Sequence, residues 1–300
     1  MKNPFGQILT AMVTPFNSDL KIDFESTEKL IDHLIKNGTD SIVVAGTTGE
    51  SPTLSHDEER ELCKFVKKCV GNKVKFILGA GSNSTQTAVE ATKEAEKLDV
   101  DGILSVVPYY NKPNQSGLLK HFGEIAKSTS LPIILYNIPG RTGINMDPVT
   151  TADLAYKHKN IIGYKDATGN LEQTSMVIQL AHDEFLIYSG DDSLTLPMLS
   201  IGAIGVISVA SHIVGNEIKE MINSYFAGKI NSAKEIHNKL FLLFKALFKQ
   251  PNPTCIKAAL EILGICKSDL RPPLVKLNEN ELNELKQIIN KTCKKQLVTK

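Results

Sequence analysis

Short apolar runs alternate with helix-like segments from residue 8 to residue 209, and this alternation restricts the available folds more than any other feature. The runs lie at 8–13, 41–45, 74–78, 102–107, 132–136, 161–165, 185–189 and 205–209. Between them, Leu30, Ile31 and Leu34 keep helical spacing until Asn37-Gly38 stops it, and Ser55 with Glu58 forms a capping-box signature. Helices are predicted from Ser55 to about Val70 and at 84–98, 117–127 and 148–157, with Thr168-Gly169-Asn170 opening another. Strand followed by helix, repeated eight times with strands apolar on both faces, predicts an α/β protein with a parallel sheet, a (β/α)8 TIM barrel. A doubly wound sheet is the runner-up, but its GxGxxG signature is missing; Gly79-Ala80-Gly81 comes nearest, with Ser84 in place of the third glycine. Beyond the eighth run the pattern becomes helical at 215–226, 231–249, 254–263 and 278–294, punctuated by Pro251, Pro253 and Pro272-Pro273. The expected division is a barrel carrying the active site at 1–214 and an appended C-terminal helical region at 215–300.

Composition excludes several function classes. A formal charge of +1 supplies no field for nucleic acid or an anionic membrane. Five cysteines without a CxxC pair argue against a disulfide framework or structural zinc and fit a reducing, cytoplasmic setting. The first ten residues lack the apolar core of a signal peptide. Residues 193–216 hold no Asp, Glu, Lys or Arg, yet Pro197, Gly202, Gly205 and Gly215 read as helix, turn and buried strand, not as a membrane span.

In a TIM barrel the chemistry sits at the C-terminal ends of the strands. Strand six ends in Lys165, with Ile161, Gly163 and Lys165 predicted on one face. Burial there would lower the pKa of the lysine and leave some amine neutral and nucleophilic towards carbonyls. A lysine snorkelling to water is the plain alternative. Tyr136 holds the matching position on strand five, a phenol suited to acid/base work beside an imine. Arg141, in the Gly-flanked loop beyond it, suits a bidentate carboxylate contact; a surface ion pair is its alternative. Strand two ends in Gly46-Thr47-Thr48-Gly49-Glu50, where hydroxyls and backbone N–H groups can gather round an anion. Tyr109 and Tyr110 follow strand four, as a proton carrier, a plug for a neighbouring subunit, or packing aromatics. Asp191 and Asp192, after Ser189-Gly190, fit a metal or the first turn of a helix. Neither a metal-binding His/Asp pattern nor the GxSxG elbow of a serine hydrolase is present. A lysine, a facing tyrosine, a hydroxyl-rich loop and an arginine at one rim suit a metal-free, cofactor-free aldolase-type lyase working on a keto acid through an imine.

At these residues the sequence resembles the dihydrodipicolinate synthase family. GTTGESPTLSHDE at 46–58, PYYNKP at 108–113, YNIPGRTG at 136–143, YKDATGN at 164–170, SGDD at 189–192 and GVISV at 205–209 fall in family order, and the similarity runs over nearly the whole chain. The resemblance implies that Lys165 forms an imine with pyruvate, whose enamine attacks L-aspartate 4-semialdehyde, in lysine and diaminopimelate biosynthesis. It implies that Tyr136 moves protons in a relay with Thr47 and with Tyr110 of a neighbouring subunit. Thr48, the Ile207 backbone and Gly190 would hold pyruvate, and Arg141 the carboxylate of the semialdehyde. A borrowed tyrosine implies a homo-oligomer, commonly a tetramer built as a dimer of dimers. Sister lyases, N-acetylneuraminate lyase or a 2-keto-3-deoxy sugar acid aldolase, are the rival reading, and generally lack the GRTG form of the Arg141 loop. A non-catalytic keto-acid sensor is the rival from another class. Ser51, His56, Asn83 and Tyr109 match the lysine-effector pocket of inhibited members, while Glu59 and Thr87 depart from it, so feedback inhibition by lysine is expected to be weak or absent.

Overall fold

A computed structural model describes residues 3–293. The ends of the predicted N-terminal and C-terminal segments, Met1-Lys2 and residues 294–300, lie outside the described residues. Strands β1 (Ile8–Ala11), β2 (Ser41–Val44), β3 (Lys75–Gly79), β4 (Gly102–Val106), β5 (Ile133–Asn137), β6 (Ile161–Asp166), β7 (Leu186–Ser189) and β8 (Gly205–Ser208) hydrogen-bond in sequence order as one closed parallel barrel. Helices alternate with them: α1 (Phe24–Lys36), α2 (His56–Val70), α3 (Thr85–Lys97), α4 (Gln115–Lys127), a short α5 (Pro139–Thr142), α6 (Pro148–Lys157), α7 (Leu171–Leu180) and α8 (Thr195–Ser200). Four more follow: α9 (Ser211–Phe226), α10 (Ile230–Ala246), α11 (Thr254–Ile262) and α12 (Glu279–Thr292). No helix among the described residues is long and apolar enough to cross a membrane, and the uncharged stretch at 193–216 resolves into α8, a turn, β8 and the start of α9.

The chain divides into two compact units: Lys75–Ile207 with the N-terminal residues through Gln7, and Ile8–Val74 with the residues from Ser208 onward. In the first unit every residue of β5 and β6 is buried, as expected of strands covered on both faces. The pairing of β5 with β6 shifts by one residue: Ile133 pairs with Ile161, but Ile134 pairs with Gly163. Ile162 is therefore the extra residue of a bulge. This corrects the predicted phase of β6: Gly163 and Lys165 share a face, and Ile161 does not. The shift also brings Tyr136 directly opposite Lys165. Glycine is required at 163 because a Cβ there would stand 2.9 Å from the Leu186 carbonyl oxygen on β7.

In the second unit local capping fixes the helix starts. Asp23 caps α1, and the predicted Ser55–Glu58 capping box is present at α2. Helix α9 begins at Ser211, four residues before the predicted start, and kinks at Val214. Gly215 lies inside the helix: a Cβ would lie 2.1 Å from the Asn37 carbonyl oxygen, so glycine permits close approach of the chain after α1. His212 is fully buried; its Nδ1 lies 2.8 Å from the Val209 oxygen, and its Nε2 accepts from the Val13 N–H at 3.2 Å. This holds the neutral ring, and burial brings its pKa down to about 4.

The C-terminal helical segment grips the loop after β2. Lys257, on α11, donates to Glu50 Oε1 at 2.5 Å and to the Asp269 oxygen at 2.7 Å, and lies 4.1 Å from the centroid of Phe16. Neither partner of this ion pair has more than 1% of its side chain exposed. Arg271 donates through its backbone to Glu50 Oε2 at 3.0 Å and through its guanidinium to Leu20, Thr53 and Glu58. The Arg271 hydrogen bond brings the Glu58 carboxyl down to about 2. Removing one member of a buried ion pair strands the other charge away from water. Lys257→Met is expected to lower stability by about 3–5 kcal/mol, read as a reduced denaturant midpoint, with Glu50→Leu in the same chain restoring much of the loss.

Candidate active site

Lys165 stands at the penultimate position of β6 with 7% of its surface exposed. Its Nζ lies 4.1 Å from the centroid of the Tyr136 ring. Burial lowers its pKa to about 8; the Asp192 carboxylate opposes the shift and the Arg141 guanidinium adds to it. At that value about a tenth of the amine is neutral at pH 7, on the order of 10² times the fraction for a free lysine. The plain alternative of a snorkelling side chain is excluded by this burial. Tyr136 itself is buried.

The loops around this pair are held by amide and carboxylate networks. Asn137 donates through Nδ2 to Asn145 Oδ1 at 2.8 Å and to the buried Tyr164 hydroxyl at 2.9 Å, and its Oδ1 accepts the Met146 N–H at 3.2 Å. Asn145 in turn donates to Gln173 on α7 at 2.8 Å. These bonds fix the turn that carries Arg141, which is exposed at the end of α5 and close enough for its charge to act on Lys165. Asp166 accepts from the Thr168 N–H and hydroxyl at 2.8 and 2.6 Å and from Thr174 at 2.7 Å, closing the turn after β6. Asn170 caps α7, as predicted for this stretch.

Asp191 and Asp192 separate into two roles. Asp191 accepts from the Ser193 N–H and hydroxyl, both at 2.8 Å, and caps a short 3-10 turn. Asp192 is buried and presents its charge to Lys165. No group of three potential metal ligands occurs among the described residues. The Gly190 N–H is committed to the Asp166 oxygen at 2.6 Å. Ile207 lies buried in β8. Tyr110 is 88% exposed at a φ of 73°, an unusual conformation for a bulky residue, while Tyr109 is 41% exposed. The Tyr110 N–H donates to the Thr142 oxygen at 3.3 Å, which ties the tyrosine loop to the Arg141 loop.

In the second unit the loop at 46–50 is tighter than its sequence suggests. The N–H groups of Gly49, Glu50 and Ser51 donate to the Gly46 and Thr47 oxygens within the loop. They are therefore spent within the loop. Thr48 is buried, and its Oγ1 accepts from Asn252 Nδ2 at 2.9 Å. Ser51 donates to Glu59 at 2.6 Å; burial raises the Glu59 carboxyl pKa, with the Ser51 bond and the His56 charge acting against it. In the first unit the Asn83 oxygen accepts from Asn111 at 2.8 Å, and the Thr87 N–H donates to Ser84 at 3.3 Å in the cap of α3.

Sequence reasoning missed Asn137 and Asn252 and gave Asp192 no role beside a lysine. The acidic pair in SGDD signalled Asp192 without separating it from Asp191. Nothing in the sequence tied Asn252 to Thr48, since they stand 204 positions apart.

Known proteins resemble the chain along almost its whole length. The model of the dihydrodipicolinate synthetase family matches residues 4–292. The 4-hydroxy-tetrahydrodipicolinate synthase 1 of Halalkalibacterium halodurans is 52% identical over 285 residues, covering 95% of this chain and 96% of the relative. The crystal structure of the Cyanidioschyzon merolae enzyme with lysine bound superposes with a TM-score of 0.94 at 48% identity, over 96% of this chain and 98% of that one. A monomeric dihydrodipicolinate synthase variant gives a TM-score of 0.94 at 40% identity, over 96% and 97% of the two chains. With about half its residues shared along almost its full length, this chain belongs to the dihydrodipicolinate synthetase family.

Proposed function

We propose that the protein is a Schiff-base-forming lyase that condenses pyruvate with L-aspartate 4-semialdehyde, the 4-hydroxy-tetrahydrodipicolinate synthase reaction of lysine and diaminopimelate biosynthesis. The buried, partly neutral Lys165 amine against the Tyr136 ring carries this reading. The amine adds to the keto carbon of pyruvate, and loss of water gives the imine. Loss of a methyl proton gives the enamine, whose carbon attacks the aldehyde of the second substrate. The amine of that substrate then displaces Lys165 and closes the ring. Tyr136 and Thr47 serve the proton transfers, with Tyr110 from a neighbouring subunit. Thr48, the Ile207 backbone and Gly190 hold the pyruvate, and Arg141 takes the semialdehyde carboxylate. The GRTG loop at 140–143 favours this acceptor over the sugar acids of the sister lyases. The five free cysteines agree with a cytoplasmic location.

Borohydride in the presence of pyruvate is expected to trap a covalent adduct on the native protein and none on Lys165→Ala. An adduct that persists in the variant, or a native protein that forms none, removes the proposed chemistry. Only the neutral amine attacks, so trapping should accelerate with rising pH and level off above about 8. Arg141 lowers the Lys165 pKa, so Arg141→Ala should move that midpoint upward while trapping persists.

The exposed Tyr110, at a conformation that costs free energy, supports a tetramer built as a dimer of dimers in which this side chain enters the adjoining subunit. Sedimentation velocity should report the mass of four chains, and Tyr110→Phe should lower turnover. A stable monomer with full activity would remove both assignments.

Ser51, His56, Asn83 and Tyr109 are assigned to a degenerate effector site. Ser51 is engaged by Glu59, and Thr87 offers no charge to an effector's ammonium group. Activity should therefore hold through millimolar L-lysine, and a low-millimolar inhibition constant or tighter would contradict the assignment.

A further inference from the structure

A hydroxyl that binds an anion must point its single proton at it, and a threonine hydroxyl is otherwise a free rotor. We propose that Asn252 is a positioning residue for the substrate carboxylate: its amide fixes the Thr48 hydroxyl so that the proton is turned outward to the anion. This rests on the reading of Thr48 as a pyruvate-binding residue.

The geometry takes one direction away from the hydroxyl proton. Asn252 Nδ2 donates to Thr48 Oγ1 at 2.9 Å, with 7% of Asn252 and 4% of Thr48 exposed. An amide N–H cannot accept, so it occupies a lone pair of the hydroxyl and excludes the hydroxyl proton from that side. The other end of the same amide, Asn252 Oδ1, is buried and meets no hydrogen-bond partner among the described residues. The side chain thus makes one directed contact and leaves its oxygen unpaired, a destabilising arrangement that an apolar residue would avoid. Packing does not explain an asparagine here; control of Thr48 does.

The surrounding loop separates this task from the holding of the backbone. Ala45 and Glu50 bracket the loop, each at a φ of 54°, in the left-handed region where residues other than glycine are strained. Glu50 is locked there by Lys257 and by the Arg271 N–H. Asn252 and Lys257 belong to the same short stretch, at the entry to and on α11. Lys257 fixes where the loop lies, and Asn252 fixes which way one of its protons points.

The test uses full-length Asn252→Leu, Thr48→Val and the double variant, reading the pyruvate concentration that half-saturates borohydride trapping alongside the melting temperature. Leucine matches asparagine closely in size and removes both the donor and the unpaired oxygen. Asn252→Leu is expected to keep or raise the melting temperature, raise half-saturating pyruvate about tenfold, and leave the plateau yield intact. In the Thr48→Val background the same change should add nothing, because the hydroxyl it acts through is gone. An unchanged half-saturation in Asn252→Leu overturns the proposal, as does an equal effect in both backgrounds. If leucine does not yield folded protein, Asn252→Ala carries the same readings. If Thr48→Val alone leaves pyruvate saturation unchanged, the assignment of Thr48 fails, and the proposal fails with it for that separate reason.

Discussion

Water withheld from one ammonium group is the constraint on which the site depends. A charged lysine is costly to bury, and the cost appears as a pKa brought down to about 8 at Lys165. Everything adjacent adjusts that cost. The Asp192 carboxylate favours the charged form, the Arg141 guanidinium disfavours it, and the Tyr136 ring covers the nitrogen without neutralising it. A carboxylate in full ion-pair contact would hold the amine protonated and inert. A site with no carboxylate at all would leave the iminium that follows without a counter-charge.

The second buried lysine shows the other outcome of the same chemistry. Lys257 is as buried as Lys165, but a carboxylate stands 2.5 Å away and a carbonyl oxygen 2.7 Å away. Its hydrogen-bonding capacity is spent on holding Glu50 and, through it, the strained loop that carries Thr47 and Thr48. Burial lowers the pKa of Lys165 to about 8, whereas Lys257 is held by close partners. The loop after β2 and the helical segment after the barrel are therefore held together by buried charge.

The barrel was legible because it is periodic. Eight apolar runs and their capping signals sit within short windows, and Ser55–Glu58 and Asn170 act as their spacing indicated. The pairing of Tyr136 with Lys165 followed from equal positions on neighbouring strands. The phase of β6 did not follow, since the bulge at Ile162 arises from pairing with β5 and leaves no mark in the sequence of β6 alone. Gly215 read as the first residue of a helix; only the nearness of the Asn37 carbonyl oxygen shows it to be a point of close approach.

The sequence alone determined the fold class and the strand ends, because these depend on neighbours a few positions apart. Tertiary structure alone decided the state of each group: which lysine is paired, which aspartate faces the amine, and which hydroxyl is held by an amide. Burial and hydrogen bonding are properties of the assembled environment. Asn252 meets Thr48 across 204 residues, and Lys257 meets Glu50 across 207, distances over which no local pattern carries information.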